Sequence, residues 1–283
     1  MIYDDRKCEL GEGPLWHPGR SQLFWFDILN NRMMSRDGAG QQEWHFSERV
    51  SAAGWVDDDT LLIASETALS RFDLRDGSRE VITPLEADRP ETRSNDGRAD
   101  PQGGFWIGTM GKQAQPGAGS IWRYYRGELR RLFPGISISN AISFPPDGRT
   151  AHFADTAIGK LWRVALDAQG WPVGKPELFL DLVPEGLNPD GAVVDAAGLL
   201  WLAQWGAGRV AAYAPDGALV RSVEFEAPHT SCPAFGGPDL TTLFCTSAQE
   251  GLDPAARAAS PNSGKVFATS DIARGQPEHR ILL

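Results

Sequence analysis

The chain repeats itself six times. A polar residue, then a small one, then a short apolar segment occurs at Glu12-Gly13, Asp96-Gly97, Asn140-Ala141 and Asp190-Gly191, with weaker copies at Ala53-Gly54 and Pro233-Ala234. The small residues are separated by steps of 41, 43, 44, 50 and 43 residues. Each copy continues into a turn, such as His17-Pro18-Gly19 or Pro146-Asp147-Gly148, and then into a dense aromatic and β-branched run. The dense runs cover residues 23–28, 60–65, 104–110, 151–156, 199–205 and 242–247, and a further strand-like run follows each after a second turn. Short runs bounded by Gly, Pro and Asp read as strands, and three or four of them per roughly 40 to 50 residues is the period of a propeller blade. The expected fold is all-β, a six-bladed β-propeller forming one domain over residues 1–283.

Composition agrees with that period. Gly and Pro make up 51 of 283 residues, about 18% against an average near 12%, as a turn-dense chain requires. No segment keeps a helical period. Ten Trp and thirteen Phe supply bulky filling for the wedges between blades. A net charge of −10 without clustered Lys or Arg argues against a nucleic-acid partner. The first residues lack a signal-peptide pattern, and no apolar stretch approaches the roughly 20 residues of a membrane span. Cys8, Cys232 and Cys245 are odd in number and unpatterned, which reads as reduced, buried thiols in a cytoplasmic protein. A ring of blades has one seam, and the first few residues are expected to close it as an outer strand of the sixth blade. Residues 111–119 form a flexible loop, and the long polar loop of residues 249–263 is either a lid or an insertion.

The phase of the repeat points to a site. The first strand of each propeller blade lines the central channel, so residues at one repeat position ring the axis. The position before the small residue holds Glu12, Ala53, Asp96, Asn140, Asp190 and Pro233. Acids crowded at one channel mouth repel one another unless a positive charge lies among them. Carboxylate and amide oxygens suit Ca²⁺, Mg²⁺ or Mn²⁺, and the same ring admits Zn²⁺ or Fe(II). No His falls in phase; His17, His45, His152 and His229 read as ordinary packed or exposed side chains. Taken alone, Asp96-Gly97 or Asp190-Gly191 is ordinary turn chemistry. No Gly-x-Ser-x-Gly is present, which argues against a serine-nucleophile hydrolase.

Five motifs taken together, Glu12-Gly13-Pro14-Leu15-Trp16, Arg93-Ser94-Asn95-Asp96-Gly97-Arg98, Gly108-Thr109-Met110, Ser139-Asn140 and Pro189-Asp190-Gly191, closely resemble the regucalcin (senescence marker protein), gluconolactonase and luciferin-regenerating enzyme family. The resemblance runs from about residue 8 to 270. It implies a six-bladed propeller that binds one divalent cation and hydrolyses sugar lactones. It further implies Glu12, Asn140 and Asp190 as metal ligands, Asp190 as proton acceptor and donor, and Arg93 and Asn95 as substrate-binding residues. Asp96 matches a channel-facing acid that bonds a water on the cation. Many members carry a substrate-binding acid in the loop after Gly108-Thr109-Met110; residues 111–119 hold none, and Gln115 stands nearest that role. Two other readings stay open: a calcium-binding propeller without turnover, and a promiscuous aryl-ester or organophosphate hydrolase. The sequence selects neither the lactone, nor the ion, nor an oligomeric state.

Overall fold

The structure, a computed structural model, describes residues 1–283. It contains six antiparallel four-stranded sheets, the blades of a six-bladed β-propeller. Their innermost strands are Gly11–His17, Val50–Asp57, Thr92–Ala99, Ser139–Ser143, Asn188–Val194 and Thr230–Gly236. Several strands coincide with the runs read from the sequence, among them Arg32–Asp37, Thr60–Ser65, Gly119–Tyr125 and Thr242–Ser247. The fourth strands, such as Gly40–His45 and Leu219–Glu224, are largely exposed. That is why they carry a weak apolar signal.

The apolar core is divided into six clusters, one in each wedge between adjacent blades. Leu15, Phe24 and Phe26 of the first blade meet Leu61, Ile63 and Phe72 of the second. Trp106 and Ile121 of the third meet Phe144 and Phe153 of the fourth. Trp16, Trp25 and Met34 meet Phe244 and Val266 across the seam. Each fully buried Phe or Leu contributes about 1.5–3 kcal/mol, so every blade is held mainly by its two neighbours.

The seam closes as expected. Ile2–Asp4 pairs antiparallel with Val266–Ser270 and becomes the outer strand of the sixth blade. Tyr3 packs edge-on against Phe244, with ring centroids 4.8 Å apart. At the far end of the chain, residues 275–283 cross the mouth formed by the C-terminal ends of the inner strands. Gln276 Nε2 donates to the carbonyls of Phe144 and Val194 at 3.1 and 2.9 Å. Glu278 forms an ion pair with Arg98, and Ile281 enters the wedge between the second and third blades. The tail therefore closes the channel at one end.

Besides three single 3-10 turns, Ile28–Asn30, Thr156–Ile158 and Val183–Glu185, one α-helical element departs from the all-β expectation. Pro254–Ala259 is a short helix in the 249–263 loop, capped by Asp253, whose carboxylate accepts the Ala256 N–H at 2.8 Å. Asp followed by Pro is a helix-start signal. With one turn and a half it has no period to detect.

Candidate functional site

All six inner strands carry a bulge near the mouth opposite the tail; in the second blade only Ser51 stands between paired residues, and in the other five two residues do. In the first blade Gly13 and Pro14 stand between the pairs Glu12–Phe26 and Leu15–Phe24. In the fourth, Ala141 and Ile142 stand between Asn140–Ala154 and Ser143–His152. Asn95 and Asp96, Asp190 and Gly191, and Ser231 and Cys232 occupy the corresponding bulges of the third, fifth and sixth blades. A bulge re-aims side chains that regular pleating would hold in fixed alternation. Gly13 and Ala141, the first bulged residues of opposite blades, are left-handed at φ +54° and +55°. Gly191 is small for another reason: a β-carbon there would stand 2.3 Å from Cys232 Sγ of the next blade.

The register corrects the simple phase argument. Glu12 and Asn140 are the last paired residues before their bulges, Asp190 is the first bulged residue and Asp96 the second. Aligning the repeats on their small residues thus sets side by side positions that differ by up to two steps along the ladder. The bulges absorb that slip, and the side chains still converge. Glu12, Arg93, Asn95, Asn140 and Asp190 all line one cavity of ≈ 460 Å³.

Two clamps fix the strands that carry Glu12 and Asn140. Asp27 accepts the N–H groups of Glu9 and Leu10 at 3.2 and 3.1 Å, and Asp155 accepts those of Ser137 and Ile138 at 2.8 and 3.0 Å. Each clamp ends two residues before its side chain enters the cavity. From there a chain of hydrogen bonds crosses three blades. Arg93 Nη1 donates to Asn95 Oδ1 at 2.7 Å, and Asn95 Nδ2 to Asn140 Oδ1 at 3.2 Å. Asn140 Nδ2 donates to Thr156 Oγ1 at 2.8 Å, and the Thr156 hydroxyl to the Pro189 carbonyl at 2.6 Å, beside Asp190. The network fixes the Asn140 amide orientation and leaves a second lone pair on Oδ1.

The acids are short of positive charge. Burial, then Asp96, pushes Glu12 up to about 8. Burial, then Glu12 and Asp96, raises Asp190 well above the carboxylate range. Asp96 is raised by burial to about 6, opposed by the Ile142 N–H at 2.7 Å and by Arg98. Asp96 lies outside the cavity lining, close enough for its charge to reach both acids. Arg93 is lowered by burial to about 10 and stays cationic at neutral pH. The thiol of Cys232 faces the same acids, and burial keeps it protonated.

This donor set fits a hard divalent cation. Glu12 Oε2 accepts only the Gly13 N–H, at 3.2 Å, the Gly191 N–H partly opposes the rise at Asp190, and Asn140 Oδ1 keeps a free lone pair. Three oxygens and two buried negative charges with few donors of their own suit Ca²⁺ or Mg²⁺ chemistry. No three His, Cys, Asp or Glu side chains are grouped for a metal, and the third oxygen offered beside Glu12 and Asp190 is the Asn140 amide.

Other placements differ from expectation. Gln115 does not line the cavity; its Oε1 accepts the Gln113 N–H at 3.1 Å and ties the loop to itself. Lys112, Gln113 and Ala114 form that wall instead. Sequence reasoning also missed Glu250, Trp205 and Thr156, which line the cavity too. Thr156 closes a dense run and Trp205 another, so the ends of second strands were the available signal. His17, His152 and His229 are held by packing: His152 stacks on Phe179 at 5.1 Å and His229 on Trp205 at 4.2 Å.

Such a site defines a radial β-repeat protein that handles a small molecule at its axis. Residues 10–249 match the SMP-30/gluconolactonase/LRE-like region, and the chain belongs to that family. A Rhizobium meliloti protein named as a candidate sugar lactone lactonase is 41% identical over 275 residues, covering 95% of this chain and 92% of that one. An L-arabinolactonase of Azospirillum brasilense is 36% identical over 93% of this chain and 89% of its own. The crystal structure of a regucalcin from Agrobacterium tumefaciens, described as a calcium-binding protein, superposes with a TM-score of 0.97 at 40% identity, covering 100% of this chain and 97% of that one. No helix is long and apolar enough to cross a membrane.

Proposed function

We propose that the protein is a cation-dependent sugar lactonase that opens the cyclic ester of an aldonolactone to the aldonic acid. The observation that carries this reading is the meeting of Glu12, Asn140 and Asp190 with Arg93 and Asn95 in one cavity. Its ≈ 460 Å³ falls within the roughly 300–1,000 Å³ of small-molecule sites. The names of the relatives, a sugar lactone lactonase and an L-arabinolactonase, support the substrate class.

Glu12, Asn140 and Asp190 would hold the cation, Ca²⁺, Mg²⁺ or Mn²⁺ by donor hardness, with Zn²⁺ and Fe(II) also admitted. Bound there, it supplies positive charge that polarises the ester carbonyl. The rest falls to the side chains. Arg93 keeps Nε and Nη2 free of protein acceptors, since its bonds to Ser94 and Asn95 both use Nη1; these donors face hydroxyl oxygens of the substrate. Asn95 presents its amide beside them. Asp190 accepts the proton of the attacking water and returns it to the ring oxygen as the carbon–oxygen bond breaks. Asp96, beneath the acids, adds negative charge to the pocket that favours the cation. Three free, buried cysteines fit a reducing compartment, and a cytoplasmic place of action belongs to the same proposal.

A calcium-binding role without turnover is the second reading, favoured by the description of the regucalcin neighbour. A polar wall of Arg93, Asn95, Gln113 and Asn188 suits a polyol better than an apolar aryl ester. The test is a chelated preparation returned to single divalent ions and assayed on xylono-, glucono-, galactono- and arabinonolactone. Hydrolysis above the spontaneous rate that returns with one ion is expected. Ca²⁺ binding with no rate on any lactone would transfer the conclusion to the second reading.

A further inference from the structure

We propose that Glu250, from the long loop of the sixth blade, is the carboxylate that reads a hydroxyl of the bound lactone, so that the site selects neutral polyhydroxylated substrates. This rests on the lactonase reading. The loop of residues 111–119 offers no acid, and Lys112 on its wall is already paired with Glu66 at 2.5 Å. Glu250 supplies a carboxylate to the same cavity from another direction. The sixth blade lies across the axis from the third, so Glu250 and the Arg93–Asn95 pair flank the cavity from opposing sides.

The placement of Glu250 is built rather than incidental. Its N–H donates to the Glu9 carbonyl at 2.8 Å, and its carbonyl meets His229 Nδ1 at 2.9 Å. Gln249 N–H donates to the same Glu9 carbonyl at 3.0 Å. The Glu9 carboxylate is held by Arg257 of the short helix at 2.5 Å. A loop clamped at these points does not swing as a lid. The Glu250 carboxylate itself is engaged by no side chain, yet it is the foremost charge acting on Arg93 and also acts on Glu12 and Asp190.

A carboxylate only accepts hydrogen bonds, whereas a guanidinium only donates them. A substrate gripped between the two must both give and take hydrogen bonds, as a hydroxyl does. A lactone bearing a sulfonate, phosphate or second carboxylate at that end meets repulsion from Glu250. Trp205, backed by His229 at 4.2 Å, offers an apolar face beside the carboxylate for the carbon–hydrogen side of the sugar.

The experiment compares wild type with Glu250→Gln and Glu250→Ala, all loaded with the same cation. Calorimetry with the neutral polyol xylitol reads the contact without turnover, and KM is measured for an aldonolactone and for unsubstituted γ-butyrolactone. Loss of a hydrogen bond to a charged group predicts at least about tenfold weaker xylitol binding, and a KM increase for the aldonolactone about tenfold larger than that for γ-butyrolactone. Equal losses on both lactones, or unchanged xylitol affinity, overturn the proposal. So does a parallel fall in cation affinity, which would make Glu250 a metal ligand. A wild type that binds xylitol through Glu250 yet hydrolyses nothing removes the lactonase reading and leaves this contact standing.

Discussion

Asn95 Nδ2 donates to Asn140 Oδ1 at 3.2 Å, joining the strand proposed to grip the substrate to the one proposed to grip the cation. Arg93 holds Asn95 from behind at 2.7 Å, and Thr156 holds Asn140 from the other side at 2.8 Å. On the proposed function, substrate and cation binding would be coupled through this amide pair, occupation of either half restraining the other.

Asp190→Ala and Asn140→Ala should each lower lactone hydrolysis by about 100-fold or more and weaken cation binding, because each removes an oxygen that the rest of the pocket cannot replace. Initial rates and a cation titration check this, alongside circular dichroism for the fold. Either variant working at the wild-type rate with its ion bound would refute the ligand set.

Arg93→Ala should raise KM for hydroxyl-rich lactones by about 10- to 100-fold, the value of a hydrogen bond to a charged group. Asn95→Ala should do the same and also weaken the cation by about tenfold, since it orients Asn140. If Arg93→Ala slowed sugar and non-sugar esters alike, its assignment to hydroxyl recognition would fail.

His152 gives a pH signature remote from the cavity. Burial, with help from Arg163, lowers it from 6.5 to about 4. Between those values the unfolded chain binds a proton that the folded chain refuses, so stability is full above 6.5 and falls as pH drops toward 4. The span corresponds to about 3 kcal/mol. His152→Phe should flatten the difference between denaturation midpoints at pH 7 and pH 4.5; an unchanged difference would assign the acid sensitivity elsewhere.

The two ends of the chain should both prove structural. Removing residues 276–283 exposes the wedge around Ile281 and strands Arg98 without Glu278, a loss of about 3–5 kcal/mol from the unpaired charge alone. Removing residues 1–9 deletes the outer strand of the sixth blade together with Cys8 in the seam cluster. Thermal midpoints are the readout, and a midpoint unmoved by either truncation would show that the segment is a free tail.

The blades were legible because the turns are written in local chemistry. Clusters of Gly, Pro and Asp favour turns, and Asp57-Asp58-Asp59 precedes the strand Thr60–Ser65 as Gly236-Gly237-Pro238-Asp239 precedes Thr242–Ser247. The candidate acids were legible because a carboxylate or amide recurs at the mouth of an inner strand in four repeats. Gln115 and Glu250 were not distinguishable in the same way. Both sit in loops of small and polar residues, and which one reaches the cavity depends on contacts far away in sequence. Glu250 is held by Glu9, on the other side of the seam, whereas Gln115 finds its partner within its own loop.

By itself, then, the amino-acid order determined the number of blades, the first three strands of each and the oxygen-bearing residues offered to the axis, since propensity and turn chemistry act over a few residues at a time. Tertiary structure decided how those residues meet. The bulges bring Glu12, Asn140 and Asp190 together from unequal ladder positions, the sixth-blade loop turns Glu250 inward, and the tail closes the opposite mouth. Each depends on segments of different blades being packed against one another, and no local pattern specifies that.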